Sequence, residues 1–200
     1  MPRPWSFAIV GLAFGLLLTF FLLRWLTPHQ FHGLVMLSPQ PINNFELTAH
    51  TGQRVKISDF RGKVVLIYFG YTYCPDVCPA TLSELRQTME RLRPGQQANV
   101  QVLMVTLDPQ RDTPQVLADY LAHFNPTFLG LTGTAEEITM AATPLGIFYE
   151  RHEGDVENGY LISHTSTVAV IDKAGYLRLV YPFDTTGEQM ADDLKILAGE

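Results

Sequence analysis

The chain has 200 residues, 46% of them hydrophobic, two cysteines and a formal net charge of −6. That length bounds it to one domain with a tail, and the apolar share suffices for a sizeable core. An acidic balance without a run of Lys or Arg argues against a nucleic-acid partner, which needs a positive surface to replace counterions. Two cysteines are too few for a disulfide-stapled fold, so the neighbouring thiols Cys74 and Cys78 point instead to redox or metal chemistry.

Trp5 to Leu23 carries no charge and is bounded by Arg3 and Arg24. Nineteen residues at helical rise span roughly 28 Å, close to the hydrocarbon thickness of a bilayer, with Trp5 and Trp25 at the ends where indoles favour the interface. No A-x-A cleavage pattern follows and no Cys is present for lipid attachment, so residues 1–26 are expected to form an uncleaved signal-anchor, an N-terminal transmembrane helix. Arg3 and the terminal amine favour an inside N-terminus, which Arg24 weakens. A thiol pair in a redox role fits a domain on the oxidising side. The lack of an Arg/Ser-rich amphipathic presequence favours a bacterial inner membrane with a periplasmic domain over a mitochondrial inner membrane.

Residues 27–44, with Pro28, Pro39 and Pro41, are expected to be an extended linker leading onto the surface of a domain at 45–200. Phe45–Thr48 and Arg54–Ile57, around the turn His50-Thr51-Gly52-Gln53, predict a hairpin. Lys63–Gly70 is a continuous apolar, β-branched and aromatic run, the pattern of a strand buried on both faces. Ala80–Leu92 reads as a helix with Leu82, Leu85, Met89 and Leu92 on one stripe and Pro79 at its first turn. Val100–Leu107 is a second buried strand. Thr113-Pro114 opens a helix to about Phe124, and Thr134–Glu137 is a capping box for another. Thr165–Ile171 and Tyr176–Tyr181 flank the turn Asp172–Gly175, and a helix over Gly187–Leu197 closes the chain. This order is α/β with a mixed central sheet, the thioredoxin-like pattern with an N-terminal β-hairpin extension.

The segment Gly70-Tyr71-Thr72-Tyr73-Cys74-Pro75-Asp76-Val77-Cys78-Pro79 joins the buried strand to the helix start. A helix N-terminus presents free N–H groups and a partial positive charge, which lower thiol pKa values. Sulfurs four positions apart can meet on one side of a helical turn, to form a disulfide or grip one ion. Imidazole is the expected addition, because sulfur with nitrogen suits copper in either oxidation state. His29 and His32 fall in the linker, His50 in a turn and His123 on an amphipathic helix. That leaves His152, in the polar loop 151–159, and His164, which precedes a strand; the more rigid platform favours His164 modestly.

The blocks G-Y-T-Y-C-P-D-V-C-P (70–79), V-T-L-D-P-Q-R-D-T-P (105–114) and Y-L-I-S-H-T-S (160–166) resemble the signature blocks of the SCO/SenC proteins, as does D-F-R-G-K-V-V-L-I-Y-F-G (59–70). The resemblance covers roughly residues 34–197. It implies a thioredoxin fold, and copper held as Cu(I) or Cu(II) by Cys74, Cys78 and His164. It also implies a role in delivering copper to, or preparing the thiols of, the binuclear copper centre in subunit II of cytochrome c oxidase, with a copper donor protein upstream. Ser163 and Tyr73 depart from the Asp and His that the family often has there. Asp108 and Asp112 are expected to satisfy loop N–H groups, with Arg111 paired to one of them; Asp76 is expected to cap the helix, and the loop 151–159 to move. The alternative is a thiol-disulfide oxidoreductase that uses Cys74 and Cys78 as a redox-active pair without bound copper. A peroxidase is disfavoured, since P-x-x-x-[TS]-x-x-C is absent before Cys74.

Overall fold

The computed structural model describes residues 4–26, 30–153 and 159–199, and within the first of these stretches the side chains of 11–22 alone. Two compact units divide the chain, Met1–Phe31 and His32–Glu200.

The first unit holds helix α1 (Pro4–Leu26). Among its described side chains, Leu12, Phe14, Leu16, Leu17, Leu18, Phe20, Phe21 and Leu22 are all exposed. Among the described residues no helix is long and apolar enough to cross a membrane. The side chains of Trp5 and Trp25, expected at an interface, lie outside the described ones.

The second unit begins with β1 (Leu34–Val35), β2 (Glu46–Ala49), β3 (Arg54–Lys56) and β4 (Val64–Gly70). Helices α2 (Val77–Glu90) and α3 (Pro94–Gln97), β5 (Val100–Thr106), α4 (Pro114–Ala122), β6 (Leu129–Thr132) and α5 (Ala135–Ala142) follow. The chain closes with β7 (Tyr149–Glu153), β8 (Tyr160–His164), β9 (Val168–Ile171), β10 (Leu177–Tyr181) and α6 (Gly187–Leu197). Eight strands form one sheet in the order β1-β10-β9-β4-β5-β6-β2-β3, while β7 and β8 pair in a second sheet. β4, β5 and β6 run parallel, and β9 lies antiparallel on the other side of β4. Every residue of β4 is buried, as its unbroken apolar run requires of a central strand. This is a mixed α/β, thioredoxin-like architecture.

The expected hairpin forms, with Glu46 opposite Lys56 and Thr48 opposite Arg54. The later turn is built by Asp172, whose Oδ1 accepts the N–H groups of Ala174 and Tyr176, and by Gly175 at φ +90°. The caps at Thr113 and Thr134 form as expected, each hydroxyl accepting an N–H three residues on. In the stretch read as a linker, Leu34 and Val35 pair with β10, and Pro41 bridges Tyr176.

Strand β1 and the short α3 are unexpected elements, and further features differ from the sequence expectation. β6 is an additional strand, too short for a periodicity signal; its Gly130 is a close-packing position, where a Cβ would stand 2.9 Å from the Leu117 Cβ. The stretch read as a polar loop is mostly a hairpin, since 151–153 belong to β7 and 159 adjoins β8; residues 154–158 lie outside the described ones. Helix α2 starts at Val77, so Cys78 lies inside it, and Asp76 occupies the N-cap position without a side-chain cap bond.

Candidate metal centre

β4 delivers the chain to the N-terminus of α2, and the intervening loop holds the cysteines. Cys74 is partly exposed in the loop, whereas Cys78 in the first turn of α2 is fully buried. Gly70, the last residue of β4, makes room for that sulfur: a Cβ there would stand 2.9 Å from Cys78 Sγ and 2.7 Å from the Tyr68 ring. Asp112 fixes the loop from below. Its buried carboxylate accepts the Thr72 N–H at 3.0 Å, the Thr72 hydroxyl, and the Thr106 hydroxyl at 2.6 Å. Burial raises the Asp112 pKa, and those three bonds oppose the rise.

The two sulfurs have opposite electrostatics. The Cys78 thiol hydrogen-bonds Cys74, and the backbone N–H groups of Cys78 and Asp76 add to it, holding the Cys74 pKa down to about 5 against the pull of burial. The Cys78 N–H lies 3.4 Å from Cys74 Sγ. The same thiol hydrogen bond to Cys74, together with burial, pushes the Cys78 pKa up. Cys74 is therefore a thiolate at neutral pH and Cys78 a thiol.

His164, at the end of β8, points its Nε2 at this pair, 3.8 Å from Cys78 Sγ and 3.4 Å from the buried Tyr68 hydroxyl. Its Nδ1 lies 3.2 Å from the Ile162 carbonyl oxygen, which can only accept. That bond requires the proton on Nδ1, and so presents the Nε2 lone pair to the sulfur. Sulfur and nitrogen sharing one first-row ion in a trigonal arrangement stand about 3.7 Å apart, given bond lengths near 2.3 and 2.0 Å. Cys78 and His164 already stand close to that separation. Among the described residues no group of three or more His, Cys, Asp and Glu side chains is set to hold a metal ion. The formed element is the sulfur–imidazole pair, with the Cys74 thiolate hydrogen-bonded beside it.

The SCO1/SenC family model matches residues 38–199, which contain all of this geometry. The chain belongs to the SCO1/SenC family. It is 36% identical over 154 residues to the SCO2-like protein of Rickettsia felis, covering 76% of this chain and 74% of that protein. It spans 58% of the length of the mitochondrial SCO2 homologs of Bos taurus and Homo sapiens. Among solved structures it is similar to apo Sco1 of Thermus thermophilus, with 41% identity, TM-score 0.77, and coverage of 84% of this chain and 98% of that one. It is also similar to ScoI of Bradyrhizobium japonicum with copper bound, with 31% identity, TM-score 0.72, and coverage of 79% and 99%.

In this SCO1/SenC chain the remaining histidines stand in other environments. His32 Nδ1 contacts Asp193 Oδ1 at 3.0 Å, and His123 Nδ1 lies 2.7 Å from the Asp119 carbonyl. His50 Nδ1 accepts the Gly130 N–H at 3.0 Å, and burial lowers its pKa. His152 is exposed on β7, paired across the hairpin with Leu161; His29 lies outside the described residues. Arg111 pairs with Asp108, one of the two partners expected for it. Ser163 is exposed opposite Glu150 on the hairpin, and Tyr73 is exposed with its ring 4.6 Å from the Arg111 guanidinium carbon.

Tyr68 and Gly70 of the SCO1/SenC site are not recognisable from sequence. Both fall in a continuous apolar run, where a tyrosine reads as core and a glycine as a strand end. Their spacing of two, which puts them on one face of β4, is the signal that could have found them.

Proposed function

We propose that this chain is a copper carrier anchored by its N-terminal helix, with Cys74, Cys78 and His164 as copper ligands. It delivers copper to, or reduces the cysteines of, the binuclear copper centre in subunit II of cytochrome c oxidase. The observation that carries this reading is the 3.8 Å approach of His164 Nε2 to Cys78 Sγ beside the Cys74 thiolate. Two soft sulfurs and an imidazole suit copper, and the similar ScoI of Bradyrhizobium japonicum is a structure with copper bound.

In this mechanism the partly exposed Cys74 thiolate meets the incoming ion from a copper donor protein. Cys78 gives up its proton to become the second ligand, and the Nε2 lone pair of His164 completes the set. The Cys74 sulfur moves off the Cys78 N–H toward the imidazole. Copper leaves by ligand exchange with the thiolates of the acceptor.

Anchoring is the reading of α1, a helix of 23 residues whose exposed leucines and phenylalanines at 12–22 need an apolar surrounding. Residues 1–26 then form the signal-anchor and 27–44 the linker, whose Leu34 and Val35 lie along the sheet edge beside β10. The domain at 45–200 lies on the periplasmic side of a bacterial inner membrane, in line with the bacterial relatives.

The test is titration of the full-length reduced chain with Cu(I) and Cu(II). His164→Ala is expected to weaken binding and to change the Cu(II)–thiolate absorption. Equal affinity and an identical spectrum in wild type and His164→Ala would overturn the ligand assignment.

The split in thiol pKa favours a second reading, a thiol-disulfide oxidoreductase. The Cys74 thiolate attacks a partner disulfide, one partner thiolate leaves, and Cys78 resolves the mixed disulfide. The partner gains two electrons and the Cys78 proton, its second thiolate taking a proton from solvent, and Cys74–Cys78 becomes a disulfide. That activity survives His164→Ala, whereas copper transfer does not.

A further inference from the structure

The hairpin that bears His164 does not belong to the main sheet; β7 and β8 pair with each other. Its inner face covers a cavity of about 190 Å³ lined by Leu107, Asp108, Ile138, Tyr149, Arg151 and Tyr160 among others. Beside the buried Tyr160 and Ile162 of that face, polar contacts also hold the hairpin.

Those contacts converge on Tyr160, the first residue of β8. Its hydroxyl donates to Asp108 Oδ1 at 2.6 Å, and Asp108 is 2% exposed. Its ring lies between two cations, with the guanidinium carbons of Arg111 and Arg151 each 3.6 Å from the ring centroid. Arg111 Nη1 also donates to the Tyr160 carbonyl at 3.2 Å, while its Nε is bonded to Asp108. Arg151 is held in turn by Gln110 Oε1 at 3.1 Å. Two residues along β8, the Ile162 N–H donates to Tyr71 Oη at 3.2 Å, and the Ile162 carbonyl is the partner of His164 Nδ1. Tyr160, Ile162 and His164 alternate onto the same face of β8, so fixing Tyr160 fixes the register at which the imidazole meets the sulfur.

We propose that Tyr160, clamped by Asp108, Arg111 and Arg151, is a positioning residue that sets the reach of His164 to Cys78. On this view the D-P-Q-R-D block at 108–112 serves the site from both sides: Asp112 holds the cysteine loop and Asp108 with Arg111 holds the imidazole's hairpin. The proposal rests on His164 as a ligand for its functional consequence, but the clamp exists in the metal-free chain and is testable there.

The test uses the reduced full-length chain and Tyr160→Phe, which keeps the ring between the guanidiniums and removes the bond to Asp108. Without metal, amide hydrogen exchange at Ile162 is expected to rise about tenfold relative to the buried amides of β4 and β5, with Cys74 alkylation unchanged. With Cu(I), Tyr160→Phe is expected to weaken binding roughly tenfold, within the range for residues that orient a ligand. In a His164→Ala background it is expected to have no further effect. Unchanged exchange, or an equal loss of affinity with and without His164, would overturn the proposal. If His164→Ala alone leaves copper binding intact, the ligand reading fails, and the exchange measurement still decides the clamp. Should Tyr160→Phe not fold, Arg151→Ala, at a half-exposed position, carries the same test with a smaller expected effect in the same direction.

Discussion

Cys78 Sγ and His164 Nε2 lie 3.8 Å apart although 86 positions separate them in the chain. The contact exists because Gly70 leaves space for the sulfur at the end of β4, and because the β7–β8 hairpin returns the imidazole to the same edge.

Cys74 alkylation by iodoacetamide should be fast and nearly pH-independent at neutral pH, falling only as pH drops through about 5. The sign for stability follows. Between pH 5 and the ordinary thiol pKa near 9, the folded state binds fewer protons at Cys74 than the unfolded state. Stability of the reduced protein therefore gains from Cys74 as pH rises through that window, and loses it as pH falls toward 5. Cys74→Ser should abolish that dependence in urea midpoints.

Copper binding should release one proton per Cu(I) near pH 7, not two. Cys74 is already ionised, whereas Cys78, its pKa raised by burial and by the bond to Cys74, must lose its proton. Calorimetry in buffers of different ionisation enthalpy measures this number directly.

Much of this was legible in the sequence. The unbroken apolar run at 63–70 and the capping signals at Thr113 and Thr134 report local physics that the structure keeps. The hairpin at 149–164 was not legible. Its first strand, Tyr149-Glu150-Arg151-His152-Glu153, is largely exposed and charged, so neither alternation nor an apolar run marks it. Its stability comes from Tyr160 and the distant Asp108 and Arg111, contacts to which a reading of local pattern is blind. For the same reason spacing alone only modestly separated His164 from His152, which share the hairpin but point to opposite faces.

Gly70→Ala should disturb the site at the end of β4. Its Cβ would meet Cys78 Sγ at 2.9 Å, so the sulfur or the strand end must shift. A loss of about 1–3 kcal/mol is expected, as for other overpacked core positions, with a slower Cys74–Cys78 oxidation by diamide. Chemical denaturation and thiol oxidation kinetics check the two parts.

Asp193→Ala should loosen the start of the domain. This buried carboxylate on α6 accepts the His32 N–H at 2.9 Å, the Gly33 N–H at 3.3 Å and the Tyr181 hydroxyl at 3.1 Å. Removing it leaves buried donors unsatisfied, at a cost of about 3 kcal/mol. Hydrogen exchange should rise first at Val35 and Met36, in and just beyond β1, and the urea midpoint should fall.

The central claim concerns which atoms hold copper, and X-ray absorption on the Cu(I)-loaded full-length chain reads them out. Two sulfurs and one imidazole nitrogen are expected in wild type, with the nitrogen lost in His164→Ala and one sulfur lost in Cys74→Ser or Cys78→Ser. A wild-type site with sulfur ligands alone, unchanged by His164→Ala, would contradict the account.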